Sequence, residues 1–211
     1  MRKRIITLLA GMALMIAAGS ANATSIVNGG FESGTFTGWN TIGPNTSSVV
    51  QTATAYYGSV YNPTEGSYMA QLDATSGVIQ NLITWNAGDW ISFQWAFLAK
   101  DYLPYNDYSL FTLIQSSPTP LPLATVMLSD IATVGDYGDT GWKTFGYQFA
   151  SSGSGMIMFN SVGTADNAGD STLLIDNVSG ASVPEPGTMV LLGFGMLGLA
   201  IYGKRRMNKE A

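Results

Sequence analysis

The sequence contains no cysteine and no histidine. Without thiols its stability cannot rest on disulfides, even in an oxidising compartment. Without imidazoles, Ser-His-Asp and Cys-His nucleophile arrangements and the usual zinc sites are excluded. Charge is scarce too, at 11% of residues. Seven of the nine lysines and arginines lie near the two ends, leaving Lys100 and Lys143 between them. Those two stand against twelve acids from Glu32 to Asp176, so the interior carries net −10 where the whole chain carries −5. Such an interior repels phosphate backbones, which excludes nucleic acid as a partner, and it favours divalent cations. No Gly-rich phosphate loop or dinucleotide fingerprint follows a strand. A carboxylate pair, as in glycoside hydrolysis, is the one catalytic scheme left. A sandwich of about 160 residues leaves little room for a catalytic cleft, so no enzyme is expected.

What is present begins at the ends. Arg2-Lys3-Arg4 precedes an apolar stretch from Ile5 to Ala18, and Ala21 and Ala23 offer the small residues a signal peptidase reads. This predicts a signal peptide over 1–23, cleaved after Ala23. At the other end, Pro184-Glu185-Pro186 is followed by an apolar run from Met189 to Tyr202 and then Lys204-Arg205-Arg206. The prolines hold the approach extended, the run partitions into lipid, and the cations fix its orientation. That order over 183–211 resembles the PEP-CTERM sorting signal of bacterial surface proteins. The resemblance implies an exosortase-type membrane enzyme as partner, an inner-membrane intermediate, and delivery to the cell surface, outer envelope or extracellular matrix of a Gram-negative-type bacterium. A plain tail anchor is the alternative.

Between the ends, 24–182 is rich in Thr, Ser, Gly, Val, Tyr and Trp, a composition that suits strands and tight turns. In Trp90–Phe97 the set Ile91, Phe93, Trp95, Phe97 falls on one face, and Ser92, Gln94 and Ala96 on the other. Further strands are predicted over 48–54, 67–73, 78–84, 108–115, 124–128, 143–150, 155–162 and 172–178, with turns such as Asn86-Ala-Gly-Asp89 between them. Short strands at this spacing, without a convincing helix, predict an all-β antiparallel sandwich.

The opening Asn28-Gly-Gly-Phe-Glu32 with Gly38-Trp39, the middle Ile79–Thr84 with Ile91–Phe93, and the closing Leu173–Val178 resemble galactose-binding-like jelly-roll domains, among them carbohydrate-binding modules. This resemblance implies a structural calcium joining the first and last strands, with Asn28, Glu32 and Asp176 at the matching positions. Ordinary turn or capping roles for these residues remain open. Asp101 and Asp107, and Asp136 and Asp139, lie in loops that read either as cation sites or as simple turns.

Sugar recognition uses flat aromatic faces beside amides and carboxylates. Phe93, Trp95 and Phe97 belong to the core by alternation, while Trp39 and Trp142 read as core plugs. The loop aromatics Tyr56, Tyr57, Tyr61, Tyr102, Tyr105 and Tyr137 are therefore the candidate ligand-binding residues. The expected function is non-catalytic binding of surface polysaccharide. The alternative is a ligand-free structural surface protein.

Overall fold

The computed structural model describes residues 25–43, 47–116, 120–164, 169–182, 192–200 and 202, without the side chains of 81 and 82. The signal-peptide positions Ala21 and Ala23 lie outside these residues, as do Pro184, Glu185, Pro186, Lys204, Arg205 and Arg206.

Residues 23–181 form one compact unit. Its first sheet has the order β1 (Asn40–Ile42), β6 (Ser76–Trp85), β11 (Gly153–Val162), β8 (Tyr108–Gln115) and β9 (Leu121–Asp130). The second has the order β10 (Lys143–Gln148), β7 (Trp90–Leu98), β12 (Thr172–Ala181), β5 (Met69–Asp73) and β2 (Ser47–Val50). A ribbon of β3 (Ala53–Thr54) and β4 (Val60–Tyr61) completes the strands. Every pairing is antiparallel, giving the expected β-sandwich.

Pleat alternation decides the core. Ile91, Phe93, Trp95 and Phe97 of β7 are buried and face Phe111, Leu113, Ile157 and Phe159 of the opposite sheet. Phe93, Phe111, Phe145 and Phe159 stack as a ring cluster with centroids 4.8–5.4 Å apart. Trp39 extends the cluster as the expected plug, buried against Phe31 and Phe159, with its indole donating to the carbonyls of Val27 and Asn28.

Besides the short strand β1, which was not predicted, two local features differ from the strand pattern predicted above. The stretch expected as one strand over 48–54 breaks after Val50. Its second half pairs with β4, and the resulting ribbon folds over the outer face of the second sheet. There Ala53, Ala55 and Tyr61 cover Met69, Ala96, Leu98 and Leu174, forming a second small core with Trp142 at its margin. A one-turn helix, α1 (Ile131–Val134), follows β9. Asp130 caps it by accepting from the Thr133 amide. Hydrogen bonds from Thr133 and Asn106 hold the Asp130 carboxyl below the usual range. Four residues are too few to show a 3.6-residue period, so composition could not reveal this helix.

Of the second unit, the described residues include a helix α2 over 192–200. Among the described residues no helix is long and apolar enough to cross a membrane.

Candidate functional site

Three loops meet at one end of the sandwich. The ribbon tip turns at Gly58 and carries Tyr56 and Tyr57, which are 57% and 74% exposed. The β7–β8 connection carries Tyr102 and Tyr105, and the α1–β10 connection carries Tyr137. Tyr56 stacks on Tyr137 at 4.2 Å between centroids with 24° between planes. Tyr102 lies 5.9 Å from Tyr137, Tyr105 meets Tyr102 edge-on, and Tyr57 meets Tyr56 edge-on. Five of the six candidate tyrosines thus form one continuous patch.

Backbone bonds hold the loops beneath it. Tyr137 donates its amide to the Asp101 carbonyl, Ala99 to Gly138, and Thr140 to Phe97. Asp136 accepts from the Leu103 amide, and Asp101 from the Tyr102 amide. Tyr137 sits at φ +57°, a left-handed conformation uncommon for a residue with a Cβ. Burial, the neighbouring Tyr56 and Tyr102, and the nearby carboxylates push its phenol pKa up.

Tyr61 departs from the expectation of a loop ring. As part of β4 it is only 6% exposed, donates to Asp139 at 2.5 Å and packs on Trp142. Burial and the Asp139 carboxylate raise its pKa. It anchors the ribbon to the Asp139 loop.

The loop acids have local hydrogen-bonding partners. Asp107 accepts from Thr164 and Ser171, and Asp139 from Tyr61 and the Gly141 amide. Among the described residues no group of three or more acids is drawn together so as to hold a metal ion.

The residues matched to a calcium site lie where the N-terminal segment meets β12. Val178 donates to the Gly29 carbonyl, and any side chain at Gly29 would collide with the Val178 carbonyl. Asp176 is fully buried. Its Oδ2 accepts from Thr64 (amide and hydroxyl) and from the Glu65 amide, and its Oδ1 accepts from the Asn177 amide. Glu32 accepts from the amides of Ser67 and Tyr68. A Cβ placed on Gly30 would lie 3.6 Å from Glu32, 3.7 Å from Glu65 and 3.9 Å from Asp176. The atoms nearest Gly30 are thus the Glu32 Cγ and single carboxylate oxygens of Glu65 and Asp176, while the Glu32 carboxylate turns to the Ser67 and Tyr68 amides. Asn28 turns away, donating to the carbonyls of Thr35 and Thr37 and accepting from the Ser33 amide.

One exposed aromatic was missed. Trp90, 43% exposed, lies over Gly146 on the outer face of the second sheet, beside Ser92 and Gln148. Its opposite parity to Ile91 was the available signal.

Residues 182–206 match the PEP-CTERM protein-sorting motif. The chain is therefore a surface protein of the exosortase-sorted class, with a β-sandwich ahead of its sorting signal. No curated protein matches the sequence. Among solved structures, the sandwich is similar to the carbohydrate-binding module TmCBM61 solved with β-1,4-galactotriose. That likeness has 17% identity and a TM-score of 0.49, over 77% of this chain and all of the module. The CBM22-1 xylan-binding domain of Paenibacillus barcinonensis Xyn10C gives 14% identity and a TM-score of 0.43, over 80% of this chain and 97% of that one. The K3 adhesin domain of Lys-gingipain from Porphyromonas gingivalis gives 15% and 0.48, over 74% and 99%. Likenesses of this size carry no ligand and no site over to this chain.

Proposed function

We propose that this is a non-catalytic envelope or matrix protein whose sandwich binds surface polysaccharide through the tyrosine patch. The observation that carries this reading is the convergence of five tyrosines from three loops, with Tyr56, Tyr57 and Tyr102 all 44% exposed or more. Their rings supply apolar faces for pyranose stacking, and Asp136 and the phenol hydroxyls supply partners for sugar hydroxyls. Asp101, Asp107 and Asp139 accept hydrogen bonds that hold the loops. Retention on exopolysaccharide from the native host should fall at least tenfold in a Tyr56→Ala/Tyr137→Ala variant, about 1.4 kcal/mol. Binding unchanged by that variant would remove the patch from consideration, and no binding at all would favour the ligand-free structural role.

Calcium belongs to the same proposal. Glu32 and Asp176 would supply its carboxylates, with carbonyls and water completing six to eight oxygens. Asn28 would act only by shaping the loop.

Export follows the sorting signal. In this reading signal peptidase cleaves after Ala23, and the run from Met189 to Tyr202 holds the chain in the inner membrane with Lys204-Arg205-Arg206 on the cytoplasmic side. Fourteen residues of helix reach only about 21 Å, short of a hydrocarbon core of about 30 Å. Gly193, Gly195 and Gly198 weaken the helix further, by roughly 1 kcal/mol each relative to alanine. A short, weak anchor suits a temporary one, which presents Pro184-Glu185-Pro186 to the exosortase before delivery to the outer envelope or matrix. Mass spectrometry of the protein from its host should find Lys204–Ala211 removed. An intact tail in a strain carrying the processing enzyme would leave a simple tail anchor.

A further inference from the structure

The loops that carry the tyrosine patch are acidic almost to the exclusion of bases. The β7–β8 connection contains Asp101 and Asp107, and the α1–β10 connection contains Asp136 and Asp139. The one base among these loops is Lys100, whose ammonium lies 3.8 Å from the Asp73 carboxylate. Lys143, the other base between the chain's two ends, stands opposite Trp95 on β10. The β11–β12 connection adds Asp170, which is exposed and follows Gly169, where a Cβ would lie 2.9 Å from the Asp101 Cγ.

Two of these carboxylates sit among the rings. Asp136 immediately precedes Tyr137, and its Oδ1 accepts from the Leu103 amide at 3.0 Å, which ties the Tyr137 segment to the Tyr102 segment. Asp101 precedes Tyr102 and accepts that residue's amide, while its carbonyl accepts from the Tyr137 amide. Burial and the neighbouring phenols raise the Tyr137 pKa, and Asp101 and Asp136 add to the rise, so both charges are felt at its hydroxyl. Asp101 is buried and Asp136 exposed, which makes Asp136 the carboxylate a ligand can meet. Stacking commits one face each of Tyr56 and Tyr137 to the other, while Tyr57 and Tyr102 remain open to solvent.

The faces of phenol rings attract cations. A carboxylate beside them strengthens that attraction and repels anions. A uronate or sulfated chain would bring like charge to this end of the sandwich, and a neutral chain would offer Asp136 no opposite charge. We propose that the patch selects polysaccharides bearing free amino groups, with a protonated amine seated against Asp136 and the rings of Tyr102 and Tyr137. This specificity rests on the patch being a polysaccharide site, as proposed above.

The test compares retention of the full chain on exopolysaccharide from its host before and after N-acetylation of the polymer with acetic anhydride, in mildly acidic buffer of low salt. Acetylation turns each ammonium into a neutral amide and leaves the sugar backbone intact. Retention should fall at least tenfold, and retention unchanged by acetylation overturns the proposal. If Tyr56→Ala/Tyr137→Ala abolishes that unchanged retention, the patch stands as a polysaccharide site of another specificity. A parent retained on neither polymer defeats the polysaccharide reading itself. Asp136→Asn keeps an oxygen for the Leu103 amide and removes the charge, so on the untreated polymer it should lose several-fold. Glu65→Gln removes an equal charge from an exposed residue whose amide donates to Asp176, in the middle of β12, and should be retained like the parent. An equal loss in the two variants would assign retention to net charge alone and overturn the proposal.

Discussion

Replacing Phe159 by alanine should lower unfolding free energy by about 3–5 kcal/mol. The ring has no exposure and lies 4.8 Å from Phe93, 5.4 Å from Phe111 and 6.0 Å from Trp39. Removing it opens a void between the sheets and strips one side from three other aromatics at once. Stiff β-strands on both sides limit how far the cavity can collapse, which places the expected loss in the upper part of that range. Phe159→Leu keeps much of the volume and should cost less than half as much. Urea unfolding followed by tryptophan fluorescence reads both variants. An alanine variant as stable as the parent would mean that the ring cluster is not the centre of the core.

Asp176→Ala should cost about 3 kcal/mol or more, by a different mechanism. The carboxylate is the acceptor for three backbone amides and one hydroxyl. Truncation leaves those donors in a buried place, each losing roughly 1–3 kcal/mol of compensation unless water enters. Part of the loss is offset because a buried negative charge disappears as well. Asp176→Asn separates the two effects, since it keeps an oxygen for the amides and removes the charge, so it should fall between parent and alanine. Calcium adds a second readout. An ion held by Glu32 and Asp176 would stabilise the parent by about 2.7 kcal/mol at a hundredfold excess over its dissociation constant. Chelation should then lower the melting temperature of the parent and leave Asp176→Ala unmoved. A parent melting curve indifferent to chelation removes the ion and keeps the hydrogen-bonded tie.

The strands were legible because alternation is a local property. The four inward residues of β7 could be read directly from their spacing. The ribbon was not, because the break after Val50 depends on a second small core of residues from five strands. Tyr61 was misplaced for the same reason, since only its pairing with Ala53 turns the ring inward. The tyrosines could be picked out by type, yet nothing in their spacing shows that positions 56, 102 and 137 meet.

The course of β12 has a mechanical consequence. Thr172 pairs with Leu98, next to the tyrosine loops, and Ala181 pairs with Trp90 at the far end, where the chain leaves for its sorting segment. Ten residues of strand span about 30 Å, so within the sandwich the tyrosine loops and Ala181 lie at opposite ends of β12. Under the proposed function, tension between a bound polymer and the C-terminus would run along β12, which lies between β5 and β7. The hydrogen bonds on its two sides are loaded in shear and must fail together, whereas peeling would break them one after another. Flow or drag on the cell surface would thus bear on the arrangement best able to resist it.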